Sequence, residues 1–262
     1  MIAPDKQIRN RMVSDTFHRG HRLPLGSPVK SAIVFDWNGT LLDDARAVLE
    51  AINAVLSRFG RAAIDMHRFR EEFELPISAI FHKLGVSEDE VDAVLGNDNA
   101  FFHDTYEPLA SRTALRKGAK HLLLAAGRQS IPVVILSNHI VEPIRVQARR
   151  LGIEAYVTRI LAFESRTSQF RSMSKEERLC QYMQVNDLSP ARTVIVGDME
   201  VETEIARNLG LISVSMTGGF VSEARLRAAQ PDYIVHDHHE LVPILQNHDL
   251  LSKDSGDREE QH

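Results

Sequence analysis

The sequence predicts an α/β protein: a doubly wound, mainly parallel Rossmann-like sheet with a helical cap inserted after the first strand. Three observations carry this expectation. Short apolar runs rich in β-branched residues alternate with amphipathic helical segments, the pattern of strands covered on both faces. Several of those runs end in small or acidic residues. Between the first two runs, a long stretch carries helical periodicity alone.

The runs cover residues 32–35, 131–136, 193–196, 211–216 and 233–235. Helical patterns separate most of them, at 117–126, 143–151, 175–185, 201–209 and 223–229. Residues 44–116 break the alternation. Ala47, Val48, Ala51, Ile52, Val55, Leu56 and Phe59 recur at helical spacing, with Gly60 as a stop. Further helical segments cover 66–74, 77–84, 88–95 and 100–109. The core is thus expected over 31–43 and 117–250, with the helical cap at 44–116. Residues 1–30 are basic, broken by Pro24, Gly26 and Pro28, and are expected to form a flexible extension. Residues 251–262 are polar and are expected to be a disordered tail.

Composition narrows the function. The chain has 262 residues, 43% of them hydrophobic, and a formal net charge of −5. A sizeable core is possible, and nothing in the charge favours nucleic acid or a membrane surface. One cysteine, Cys180, rules out an internal disulfide framework and fits a reducing compartment. No apolar run approaches the roughly 20 residues that span a bilayer. The expected location is cytoplasmic and the expected partner a small molecule; the oligomeric state stays open.

Ligands of open α/β sheets bind outside the carboxyl ends of the strands. Three runs end there in Asp36, Ser137 and Asp198. Two carboxylates from adjacent strands suit a hard cation such as Mg²⁺. Gly39 and Gly197 let backbone approach a ligand closely. Backbone N–H groups after Asp36 and the Ser137 hydroxyl suit phosphate oxygens. Lys175, the only lysine between Lys120 and Lys253, is the leading candidate for the remaining positive charge; Arg166 and Arg171 are alternatives.

The segments Asp36-Trp37-Asn38-Gly39-Thr40-Leu41, Ser137, Lys175 and Gly197-Asp198-Met199-Glu200-Val201-Glu202 resemble, in order, the four motifs of the haloacid dehalogenase-like superfamily. The resemblance spans about residues 31–245 and is nearest to the phosphoglycolate-phosphatase-like branch with its small α-helical cap. It implies a Mg²⁺-dependent phosphatase acting on a small phosphorylated metabolite. Asp36 would attack phosphorus to form an aspartyl-phosphate. Asp36, Asp198 and the backbone oxygen of Asn38 would ligate Mg²⁺, with Glu202 holding it through water or orienting Lys175. Ser137 and Lys175 would hold the transferring phosphoryl group, assisted by Gly39, Thr40 and Asn138.

Asn38 departs from the family pattern, which places a second Asp there as general acid and base. An amide cannot donate and recover a proton as a carboxyl does. Three readings follow beside a phosphatase that takes its proton from Asp43, Asp44, His139 or a cap residue: an enzyme restricted to good leaving groups, a weakened phosphate-ligand-binding or regulatory protein, or a chain similar to phosphonoacetaldehyde hydrolases, with Lys83 as the Schiff-base candidate. Restoring the carboxyl with Asn38→Asp is expected to raise hydrolysis of alkyl phosphates. Other residues carry plain alternatives. Ser137 and Asn138 could cap a helix, Glu202 could be an ordinary first-turn acid, and Asp43 and Asp44 could cap the first cap helix. His236, His238 and His239 are expected in a solvated loop, and Cys180 as a buried, inert thiol.

Overall fold

The computed structural model describes residues 30–95, 101–165 and 173–252. Residues 1–29 of the expected N-terminal extension, Arg166, Arg171 and residues 253–262 lie outside them, and Lys30 belongs to the first strand. Six strands form one parallel sheet: β1 (Lys30–Phe35), β2 (Val133–Ile140), β3 (Arg159–Phe163), β4 (Leu188–Gly197), β5 (Ile212–Met216) and β6 (Tyr233–Val235). Their order is β3-β2-β1-β4-β5-β6. The chain winds outward from β1 through β2 to β3, then crosses back to β4 on the other side. The direction of winding therefore reverses between β1 and β4, where such sheets bind ligands.

β1 explains itself. Ala32, Ile33, Val34 and Phe35 are fully buried, because the side chains of a strand alternate and both faces are covered. Ile33 and Phe35 join Val133, Ile135, Val194 and Val196 on one face, against α6 (Ala119–Arg128), α7 (Val141–Arg150) and α11 (His238–Asn247). Val34 joins Val134, Leu136 and Ile195 on the other, against α8 (Lys175–Asn186) and α9 (Glu200–Leu209). α10 (Glu223–Ala228) links β5 to β6.

Five helices lie between β1 and α6: α1 (Ala45–Arg58), α2 (Met66–Glu72), α3 (Ile77–Lys83), α4 (Glu88–Leu95) and α5 (Phe101–Ala110). They bury a second apolar cluster that continues into the sheet domain through Met199, Phe220, Val221 and Leu226. Phe220 is wedged between Phe69 and Phe73 of the insert, with ring centroids 5.9 and 4.8 Å away. Polar ties reinforce the contact. Arg70 of α2 donates to the carbonyls of Gly218 and Gly219, and Arg225 donates back to the carbonyls of Arg70 and Phe73.

Three expectations need correction. β3, sequence Arg-Ile-Leu-Ala-Phe, is an additional edge strand; Arg159 is exposed and the other four residues are only partly buried, so it lacks the continuous burial of the central strands. Of the histidine segment, only His236 lies in a solvated loop. Asp237 caps α11 by accepting from the backbone of His239 and Glu240, and His238 is fully buried beside Phe35. Leu251 is also buried in the core, and the Ser252 backbone donates to Gln129, so the packed chain runs past the expected boundary at 250.

Candidate active site

The sheet register brings the two expected acids together. Phe35 is level with Val196, and the Asp36 N–H donates to the Val196 carbonyl at 2.9 Å. Asp36 and Asp198 thus leave adjacent central strands at the same edge. Lys175 arrives from a third direction, at the first position of α8, whose start is fixed by a capping box between Ser174 and Glu177. Its ammonium donates to Asp36 Oδ1 at 2.8 Å and to Glu202 Oε1 at 2.5 Å. Glu202 stands in the first turn of α9, but it is buried and points at the lysine, so its place goes beyond that of an ordinary first-turn acid.

Charge is concentrated here in low dielectric. Asp36, Asp198, Glu202 and Lys175 are all buried, at 7%, 0%, 2% and 6% exposure. Three carboxylates face one ammonium. Burial pushes Asp198 well above the usual carboxylate range, and repulsion from Asp36 and Glu202 adds to it. Burial also raises Glu202 to about 7, although Lys175 pulls the other way. Burial alone would lower the Lys175 ammonium, but Asp36 and Glu202 outweigh it and the lysine is firmly protonated.

Both Asp198 oxygens are held. Oδ1 accepts from the Thr40 hydroxyl at 3.0 Å and Oδ2 from the Phe220 N–H at 2.7 Å. Thr40 is fully buried and its hydroxyl is spent on Asp198. Gly39 sits in the left-handed region at φ +71°, and a Cβ there would run into the Asp198 carboxylate. Among the described residues, no three His, Cys, Asp or Glu side chains stand as a ready metal-ligand set.

Ser137 lies on β2, beyond the point where Ile135 is level with Phe35. Its hydroxyl accepts from the His139 N–H at 3.1 Å. The guanidinium of Arg178 fixes this strand end: Nη1 donates to the Ser137 and Leu161 carbonyls, at 2.9 and 3.0 Å, and Nη2 to Asn138 Oδ1 at 3.1 Å. Neither residue caps a helix. Arg178 was not foreseen; its only sequence signal is a charge on the inward face of α8.

Both N–H groups of the Asn38 amide are engaged. Nδ2 donates at 2.7 Å to both Asp44 Oδ2 and Tyr106 Oη. The Tyr106 hydroxyl donates to Asp44 Oδ2 at 2.6 Å, and Asp44 Oδ1 accepts from the Gly39 N–H at 2.7 Å. Asp44 precedes α1 but makes no side-chain cap. Burial raises its pKa, and burial with the Asp44 charge raises Tyr106 well above the ordinary tyrosine value. His139 lies 3.3 Å from Glu107 of α5. Lys83 forms an ion pair with Glu74, and Cys180 is only partly buried.

Comparison with known proteins agrees with this geometry. The family model described as haloacid dehalogenase-like hydrolase matches residues 33–216. A phosphoglycolate phosphatase from Synechococcus elongatus is 28% identical over 214 residues, covering 82% of this chain and 96% of that protein. One from Chromobacterium violaceum is 23% identical, with the same coverage. A haloacid dehalogenase-like hydrolase structure from Streptococcus pneumoniae superposes with a TM-score of 0.70 at 24% identity, covering 83% of this chain and 99% of that one. With strand order, acidic edge and family model in agreement, the chain belongs to the haloacid dehalogenase-like hydrolases.

Proposed function

We propose that this protein is a Mg²⁺-dependent phosphoric monoester hydrolase that acts on a small phosphorylated metabolite through an aspartyl-phosphate on Asp36. The observation that carries the reading is the Lys175 ammonium, buried between Asp36 Oδ1 and Glu202 Oε1. This lysine orients the Asp36 carboxylate and stands ready to meet phosphoryl oxygens. The phosphoglycolate phosphatases among the relatives support a monoester substrate.

The donor set fits a hard divalent cation. Three buried carboxyl groups share one lysine, burial and mutual repulsion disfavour their ionised forms, and Glu202 Oε2 is buried without a hydrogen-bond partner. Asp36, Asp198 and the Asn38 carbonyl would hold the ion, with Glu202 behind them. When bound, it would offset the carboxylates' repulsion and the charge of the phosphate. An Asp36 carboxylate oxygen attacks phosphorus, the P–O bond to the leaving group breaks, and water then cleaves the acyl phosphate to return the carboxylate. Lys175 and Ser137 stabilise the equatorial oxygens. Neither N–H of Asn38 is free to serve the leaving group. Protonation of the leaving group therefore falls to another donor or is dispensed with, which favours substrates with good leaving groups.

Helices α1 to α5 act as the cap, docked through Phe220 and Arg70. None of the described helices is long and apolar enough to cross a membrane. The proposed substrate is a small molecule and the proposed location the cytoplasm. Lys83, the Schiff-base candidate, sits in a solvent-exposed ion pair with Glu74, apart from the buried cluster of Asp36, Lys175 and Glu202, so carbon–phosphorus cleavage is not favoured. Turnover of aryl, acyl and alkyl phosphates, with and without Mg²⁺, tests the proposal. Mg²⁺-dependent release of phosphate, abolished by Asp36→Ala, is expected. Tight phosphate binding without turnover would favour the ligand-binding alternative.

A further inference from the structure

Asn38, Asp44 and Tyr106 close a three-membered hydrogen-bond ring beside the nucleophile. Its polarity is strict. The amide gives both hydrogens, the carboxylate only accepts, and the phenol accepts from one and donates to the other. Asp44 is fully buried and Tyr106 is 4% exposed, so each unmet donor or acceptor there is costly. Asp44 also accepts the Gly39 N–H, linking the ring to the loop that carries Asp36.

We propose that Asn38 and Asp44 form an obligate amide–carboxylate pair, locked by Tyr106 of the insert, so that position 44 decides what position 38 can be. Asp44 and Tyr106 are positioning residues: they act on the reaction through residue 38. This deepens the phosphatase reading and rests on it.

The pair limits the gain expected from Asn38→Asp. A carboxyl at position 38 would face Asp44 at the distance of the present 2.7 Å bond. Either the two charges repel, or they share one proton that lies between them and is withheld from substrate. The Tyr106 oxygen loses its donor in both cases. Asp44→Asn alone sets two amides against each other. The exchanged variant, Asn38→Asp with Asp44→Asn, reverses the ring without loss: the amide at 44 donates to the carboxylate at 38 and to Tyr106, Tyr106 donates to position 38, and the Gly39 N–H keeps an acceptor.

Two measurements on the full chain test this, and the first needs no catalysis. Thermal unfolding of wild type, both single variants and the exchanged variant forms a double-mutant cycle. Each single variant should lose roughly 5 °C, and the exchanged variant should recover most of that loss. Additive losses, or an exchanged variant that yields no more soluble protein than the singles, would overturn the pairing. Failure there leaves the phosphatase reading intact, whereas loss of the phosphatase reading leaves the unfolding cycle interpretable. The second measurement is the ratio of kcat/KM for p-nitrophenyl phosphate to that for an alkyl phosphate. The exchanged variant should narrow it about 10-fold or more, since general acid help is typically worth about 10²–10⁴-fold, while Asn38→Asp alone narrows it less. Equal narrowing in the single and exchanged variants would refute control by position 44.

Discussion

Replacing Lys175 by methionine tests whether the lysine is machinery or scaffold. Methionine keeps the length of the side chain and removes its charge. The lysine is 6% exposed and its two acceptors lie within 2.8 Å, so its loss leaves Asp36 and Glu202 buried and facing each other. Breaking a buried pair from one side costs about 3–5 kcal/mol. For a chain of this size each kcal/mol shifts Tm by about 2–4 °C. A fall of about 10 °C is therefore expected in metal-free buffer. Catalysis should fall further, by about 10²–10³-fold in kcat, as for loss of one preorganised charge at a transition state. Differential scanning fluorimetry and steady-state assays on the same preparations separate the two effects. Because the variant has three carboxylates and no ammonium, added Mg²⁺ should raise its Tm more than that of wild type. A variant with Tm within 1–2 °C of wild type in metal-free buffer, or with kcat within about threefold, would refute the reasoning.

Two further outcomes follow from the geometry. Gly39→Ala should abolish turnover and destabilise the fold by more than about 1 kcal/mol, because its Cβ would meet Asp198 at a backbone angle that alanine resists; circular dichroism with an activity assay checks both. Burial lowers His238 from 6.5 to about 4, so between these values the unfolded chain binds a proton that the folded chain refuses. Stability is then lost as pH falls from about 6.5 towards 4, by up to roughly 3 kcal/mol. Urea unfolding of His238→Phe should show a shallower acid-side decline than wild type, and parallel curves would count against the assignment.

What could be read in advance follows burial and distance along the chain. β1 was legible because four consecutive apolar side chains divide between two covered faces. β3 was not, since an edge strand beginning with Arg159 and half-covered throughout carries no such run. In α11, Pro243 and the histidines hid the Asp237 cap and the Leu241–Leu245 spacing. Asp36, Asp198 and Lys175 could be named because strand ends and a helix start announce themselves locally, whereas Glu202 was named only through the family resemblance. Tyr106 meets Asn38 across 68 residues and Arg178 meets Ser137 across 41; such contacts exist only once the insert is docked and α8 lies against β2. Thr40 shows the reverse case: a polar residue in a ligand loop whose hydroxyl serves a neighbouring carboxylate.

The covalent role of Asp36 is the claim on which the mechanism turns. Acid quenching during turnover of a phosphate-labelled substrate, followed by peptide mapping, addresses it directly. Label on Asp36 that appears with Mg²⁺ and disappears in Asp36→Asn is the predicted result. Label on a different residue, or full turnover by the Asp36→Asn protein, would contradict the account.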